Sequence, residues 1–114
     1  MATKRKVGEI CLSVGATNRV VVFDFTEWLN GGLLASGSAT EVDTSDLTIG
    51  SPTVESASQT DPFTGQTIAA SKALNVPITV PSTLSTGVRE IIVTPTDNSS
   101  SAQSEPMLIE VNVV

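Results

Sequence analysis

The last eight residues alternate: Met107, Ile109, Val111 and Val113 fall on one side, and Leu108, Glu110, Asn112 and Val114 on the other. A period of two is the repeat of an extended strand with one buried face, and it cannot be laid onto the 3.6-residue repeat of a helix. Val88 to Thr96 is a second strong strand signal, and Asp97 to Pro106, with Ser99-Ser100-Ser101 inside it, is a polar connection that joins the two as a long hairpin. A hairpin alone is marginally stable in water, so its apolar face has to be covered by more of the same chain.

The rest of the sequence offers strands for that purpose. Of 114 residues, 14 are Val, 15 are Thr and 14 are Ser, a mixture that suits pleated, half-buried surfaces and weakens helices. Three Phe, one Trp and no Tyr leave the core to many small aliphatic contacts. The length is that of one domain, in which folding buries roughly 65% of the surface exposed by the unfolded chain.

Ile10, Leu12 and Val14 alternate with Cys11 and Ser13, and Gly15 to Asn18 punctuates them. Arg19 to Phe25 follows, where the unbroken run Val20 to Phe23 predicts burial on both faces. Thr26 is placed to cap a helical turn through Glu27, Trp28 and Leu29, and Asn30-Gly31-Gly32 supplies residues that tolerate positive φ where that turn stops. Leu33 to Val42, Leu47 to Ile49, Thr53 to Ala57 and Thr67 to Val80 are strand-like. Asp43 to Asp46 and Asp61 to Gly65 are turns, because Asp caps its own backbone and Pro and Gly preset the dihedrals. Pro77 and Pro81 cannot donate to a ladder, so the strand around Ile78 is expected at an edge or interrupted. These signals predict an all-β chain: a single antiparallel Ig-like β-sandwich of about seven strands, with one short helical turn near residues 26–30. The tyrosine corner and cysteine pair of antibody domains are absent. Residues 1–8 read as an N-terminal basic arm and residues 9–114 as the sandwich domain.

Twelve acidic residues against six basic ones give a net charge of -6, and half of the cations sit together as Lys4, Arg5 and Lys6. The body is therefore strongly acidic and repels phosphate backbones, so no nucleic-acid partner is expected for it. The basic run reads as a solvated tail, or else as an arm touching nucleic acid or an acidic partner. Cys11 has no partner for an intrachain disulfide and is expected to act as a small buried hydrophobe. No run approaches the roughly 18 apolar residues of a membrane helix, and VGEICLSVGA is too short and polar for a signal peptide, so no membrane partner is expected and synthesis is expected in the cytoplasm.

The absence of histidine removes Ser-His-Asp and Cys-His arrangements, and one cysteine cannot build a zinc site. No phosphate-binding glycine loop occurs. The expectation is a protein that is not an enzyme, with no cofactor and no metal. Carboxylates such as Asp24, Glu27, Glu41, Asp43 and Asp46 would carry acid-base chemistry only with a cleft between two of them. Asp43, Asp46 and Asp61 offer oxygen ligands to calcium, but without EF-hand spacing. Phe23, Phe25, Trp28 and Leu29 cluster at the bend; a stacking platform for nucleic acid would carry basic residues where Asp24 and Glu27 stand, so the cluster is expected to be a structural core bend.

The stretch VVVFDFTEWLNGGLLASGSATEV resembles the start of a family of small tailed-bacteriophage virion proteins, the fibre-tail adaptor or Ig-like structural proteins. Phe23-Asp24-Phe25, Trp28-Leu29, Gly31-Gly32 and Ala35 to Val42 occupy the positions of that pattern, and Val88 to Val114 matches its closing strand, polar hairpin and alternating strand. Ser85-Thr86-Gly87-Val88 stands where the family has Gly-Gly and Tyr, and Val54 to Ile68 is longer. The resemblance implies a non-enzymatic structural protein of the virion, a fibre-tail adaptor or a capsid decoration or cement protein, made in the host bacterial cytoplasm and present in multiple copies, with a homo-oligomer as one form. Its partners would be other virion proteins of capsid, neck, tail or fibre. The candidate contact residues are Lys4, Arg5 and Lys6 in the arm and Asp97, Asn98, Ser99 and Ser100 in the hairpin loop. The competing reading is a carbohydrate-binding or host-adhesion module that presents Trp28 to a sugar.

Overall fold

The computed structural model describes residues 5–42, 45–61 and 64–114. In chain order the elements are β1 (Arg5–Leu12), β2 (Arg19–Asp24), α1 (Thr26–Leu29), β3 (Leu34–Glu41), β4 (Thr48–Ile49), β5 (Thr53–Val54), β6 (Gln59–Thr60), β7 (Thr67–Ile68), β8 (Ala73–Thr79), β9 (Gly87–Asp97) and β10 (Met107–Val113). The fold is all-β, and among the described residues the one helical element is the single turn of α1. One sheet has the order β1-β10-β9-β3. The other has the order β2-β8-β4 with β5 also paired to β8, and β6 and β7 form a separate ribbon.

The alternation read at the C-terminus is the organising feature. β9 and β10 pair antiparallel with Ile91 opposite Ile109 and Val93 opposite Met107. Ile91, Val93, Pro95, Met107, Ile109, Val111 and Val113 are buried, and the alternate positions of β10 are half-buried. From the second sheet, Leu74, Val76 and Ile78 of β8 are fully enclosed and join the same apolar cluster, together with Leu12, Val21, Phe25 and Leu29. Both sheets thus contribute to one core.

Several expectations need correction. The pairing is not antiparallel throughout: β1 lies parallel to β10, with Ile10 opposite Val111 and Leu12 opposite Val113. Strands from opposite ends of a chain are free to run side by side in the same direction, because no short turn has to join them. β1 begins at Arg5, so Arg5 to Gly8 belong to the sheet rather than to an arm, with a register shift between Lys6 and Gly8. Among the described residues there are ten strand segments, four of which (β4 to β7) are only two residues long. Thr67 to Val80 is not continuous, because Ser71 at φ 60° breaks it into β7 and β8.

β2 is an edge strand and not a strand buried on both faces: Val21 is enclosed while Val20 is 59% exposed. β8, by contrast, is central, although it carries Pro77. The carbonyl of Pro77 accepts the N–H of Gly50 at 2.8 Å, so the proline nitrogen faces the same neighbour. That neighbour is discontinuous there, β4 ending at Ile49 opposite Ile78 and β5 resuming at Thr53 opposite Asn75. The missing donor falls in the gap, and a Cβ on Gly50 would come within 2.7 Å of the proline ring. Cys11 is exposed and not buried, as the outward position between Ile10 and Leu12 requires. In the first expected turn, residues 43 and 44 lie outside the described residues; Asp46 accepts from Arg89 Nε at 2.8 Å and ties the segment before Leu47 to β9.

Candidate functional site

The bend after β2 is built by Asp24, not by the expected Thr26 cap. Asp24 Oδ1 accepts the backbone N–H of Thr26 at 2.9 Å and its hydroxyl at 2.5 Å, an Asx turn that starts α1. The turn stops at Asn30, in the left-handed region at φ 47°, followed by Gly31 at φ 92°. Two backbone bonds anchor it to the segment before β8: Phe25 N–H to Lys72 at 2.9 Å and Leu34 N–H to Ser71 at 2.8 Å.

Phe25 and Leu29 are four positions apart, so both side chains descend on one side of the turn into the core, where they are 6% and 9% exposed. Phe23 and Trp28 are half-buried and pack against that core from outside. The ring centroids of Phe23 and Phe25 are 6.5 Å apart with planes at 23°, and Trp28 meets Phe25 edge-on at 6.3 Å and 72°. The bend is therefore half plug and half wall. Its outer half lines an open cleft of about 330 Å³ together with Asp24, Glu27, Met107 and Ile109. On the other side of Asp24 and Glu27 a polar hollow of about 410 Å³ is lined by Thr26, Asp61, Thr64, Gln66 and Thr67.

Further along β2, a hollow of about 250 Å³ runs between the two sheets, lined by Ile10, Cys11 and Leu12 of β1 and Arg19 to Val22 of β2. Phe25 N–H bonds to Lys72 in register with the β2–β8 ladder. Antiparallel alternation then turns the backbone groups of Val20, Val22 and Asp24 away from β8, toward the open edge. Sequence reasoning missed this edge, because an apolar run carries no mark of which strand ends a sheet.

The polar connection between β9 and β10 is tied together by Asp97. Asp97 accepts from Ser99 Oγ at 2.9 Å, Gln103 N–H at 2.9 Å and Ser99 N–H at 3.3 Å, and its own N–H bonds to the Gln103 carbonyl. Those bonds, the Gln103 amide first and the Ser99 hydroxyl second, hold its carboxyl below the usual 3.8. Asn98 N–H reaches the Leu33 carbonyl at 2.9 Å, while Ser99 and Ser100 are exposed.

Of the basic run, Lys4 lies outside the described residues, and the backbones of Arg5 and Lys6 pair with Met107 and Leu108. Met107 lines the aromatic cleft, and Asn98 is bonded to the residue preceding β3. The start of β1, the Asp97 loop and the aromatic bend, far apart in sequence, thus meet at one end of the sheets. Among the described residues no group of three acidic or cysteine side chains is placed to hold a metal ion; Asp46 faces Arg89, and Asp43 is outside the described residues.

No family model matches the chain, and no curated protein matches it. Among solved structures it is similar to a nucleoside hydrolase-related hypothetical protein from Saccharophagus degradans that is associated with carbohydrate metabolism, with 20% identity and a TM-score of 0.49. The similarity covers 95% of this chain but 22% of that one, and at this level it carries no argument about activity.

Proposed function

We propose that the chain is an Ig-like β-sandwich acting as a non-enzymatic structural domain of a tailed-phage virion, attached to other virion proteins through the open side along β2. The Ig-like reading is supported by the strand order: β3-β9-β10 and β2-β8-β4 follow the CFG and BED order of immunoglobulin sheets, with β1 added beside β10. The virion assignment rests on the sequence resemblance at the bend and the closing hairpin.

The observation that carries the attachment reading is the outer edge of β2. An edge with outward backbone groups at Val20, Val22 and Asp24, a valine 59% exposed and an apolar hollow beside it is a template for an added strand. Val20→Lys puts a charge on that edge without disturbing the core. Its thermal midpoint should match wild type, while its occupancy on purified source particles, counted by electron microscopy, should fall several-fold. Unchanged occupancy would remove β2 as the attachment edge.

The half-exposed Trp28 in its cleft is the observation on the side of a carbohydrate-binding module. A neutral oligosaccharide that quenched Trp28 saturably would favour that reading.

A further inference from the structure

We infer that the cleft at the end of β2 is a pocket for an arginine or lysine side chain of the attached protein, which gives the partner's chemistry and rests on the attachment reading above. The floor of the cleft is apolar, formed by Met107 and Ile109, each 4% exposed. Its walls are the rings of Phe23 and Trp28, and its rim carries the carboxylates of Asp24 and Glu27. An aliphatic stem packs on such a floor while its cationic head meets the rings and the rim.

The charges are placed for this. Asp24 spends Oδ1 on Thr26, and neither Asp24 Oδ2 nor the Glu27 carboxylate has a hydrogen bond among the described residues. The lining contains no lysine or arginine among the described residues, and the chain as a whole carries -6. The rim carboxylates draw a cation to the mouth of the cleft and repel an anionic group. The cleft also continues the β2 edge: Phe23 and Asp24 are the last residues of the strand whose first residues line the apolar hollow. An extended partner segment laid along β2 would place apolar side chains at Val20 to Val22 and a basic one at the cleft, about three residues further on at ~3.3 Å per residue.

The test uses the full chain and its single tryptophan, titrated with acetylated, amidated tri-arginine, with tri-glutamine and with maltotriose. Tri-arginine should change Trp28 emission saturably, and its affinity should drop about three-fold or more both on moving to high salt and in Glu27→Gln, since the rim is open to solvent. Tri-glutamine and maltotriose should leave the emission unchanged. The inference is overturned if tri-arginine gives no saturable change, if Glu27→Gln binds as well as wild type, or if maltotriose gives the response instead. A variant with Lys4, Arg5 and Lys6 all changed to serine must bind tri-arginine as wild type does. Binding seen only in that variant would mean that the chain's own basic run fills the cleft, which also overturns it. Tri-arginine binding combined with full particle occupancy by Val20→Lys would keep the pocket and discard the edge. Reduced occupancy without tri-arginine binding would do the reverse.

Discussion

Gly37 of β3 faces Leu74 of β8 across the space between the two sheets, so closely that a Cβ on the glycine would lie 2.6 Å from Leu74 Cδ2 and 2.9 Å from Cδ1. Leu74 is fully buried, so its side chain would have to shift within the core to make room. Gly37→Ala should therefore destabilise the fold by about 1–3 kcal/mol, the usual cost of overpacking. Urea unfolding measures it, and in the Leu74→Ala background the same substitution should cost much less, because the clash is gone. An equal cost in both backgrounds would show that Gly37 matters for its backbone and not for its size.

The two halves of the aromatic bend should separate in a stability measurement. Phe25 is 6% exposed and Phe25→Ala should cost about 3–5 kcal/mol, as for other buried aromatics. Trp28 is half-buried, and Trp28→Ala should cost about half as much. Equal losses in denaturant titrations would mean that Trp28 belongs to the core and that its cleft is incidental.

Asp97 gives a pH signature. Its carboxyl is held below its ordinary value by the Gln103 and Ser99 bonds, so its contribution is present above the unfolded value of 3.8 and disappears as pH falls through the lower folded value. The advantage of wild type over Asp97→Asn in urea midpoint should be constant at neutral pH and shrink below about pH 4. A difference that does not change with pH would show that the charge of Asp97 contributes nothing to holding the loop.

On the outer face of the first sheet, Glu9, Glu110 and Glu90 stand side by side on β1, β10 and β9. Like charges directly opposite one another repel, so Glu90→Thr should stabilise the fold by about 0.2–1 kcal/mol, and more at low salt than at high. A loss of stability would indicate that Glu90 is engaged in a favourable contact in solution.

How far the sequence could be read depends on whether the signal was local. The β9–β10 hairpin was legible because Met107 to Val114 alternates and a polar connection precedes it, both within one stretch of chain. The helical turn and its αL stop at Asn30 were legible for the same reason, although the cap fell to Asp24. Pairing partners were not legible. Nothing in the alternation of Ile10, Leu12 and Val14 says that β1 joins β10 in parallel, and nothing in Val20 to Phe23 says that the run ends a sheet. Pro77 misled because its missing N–H was read as marking an edge or an interruption of its own strand, when the gap between β4 and β5 supplies the tolerance from the other side. For the site, the aromatic residues and Asp97 were picked out by type; only the fold brings them to one end, beside the start of β1.

The proposed attachment of this chain through the edge of β2 is tested most directly by hydrogen exchange over residues 19–24, read by mass spectrometry on the free protein and on the protein mixed with its source particle. Among the described residues no strand lies beside the outward amides of Val20, Val22 and Asp24, so exchange in this segment should slow markedly on the particle while β9 and β10 remain unchanged. Identical exchange in the two states would contradict the account and place attachment on another surface.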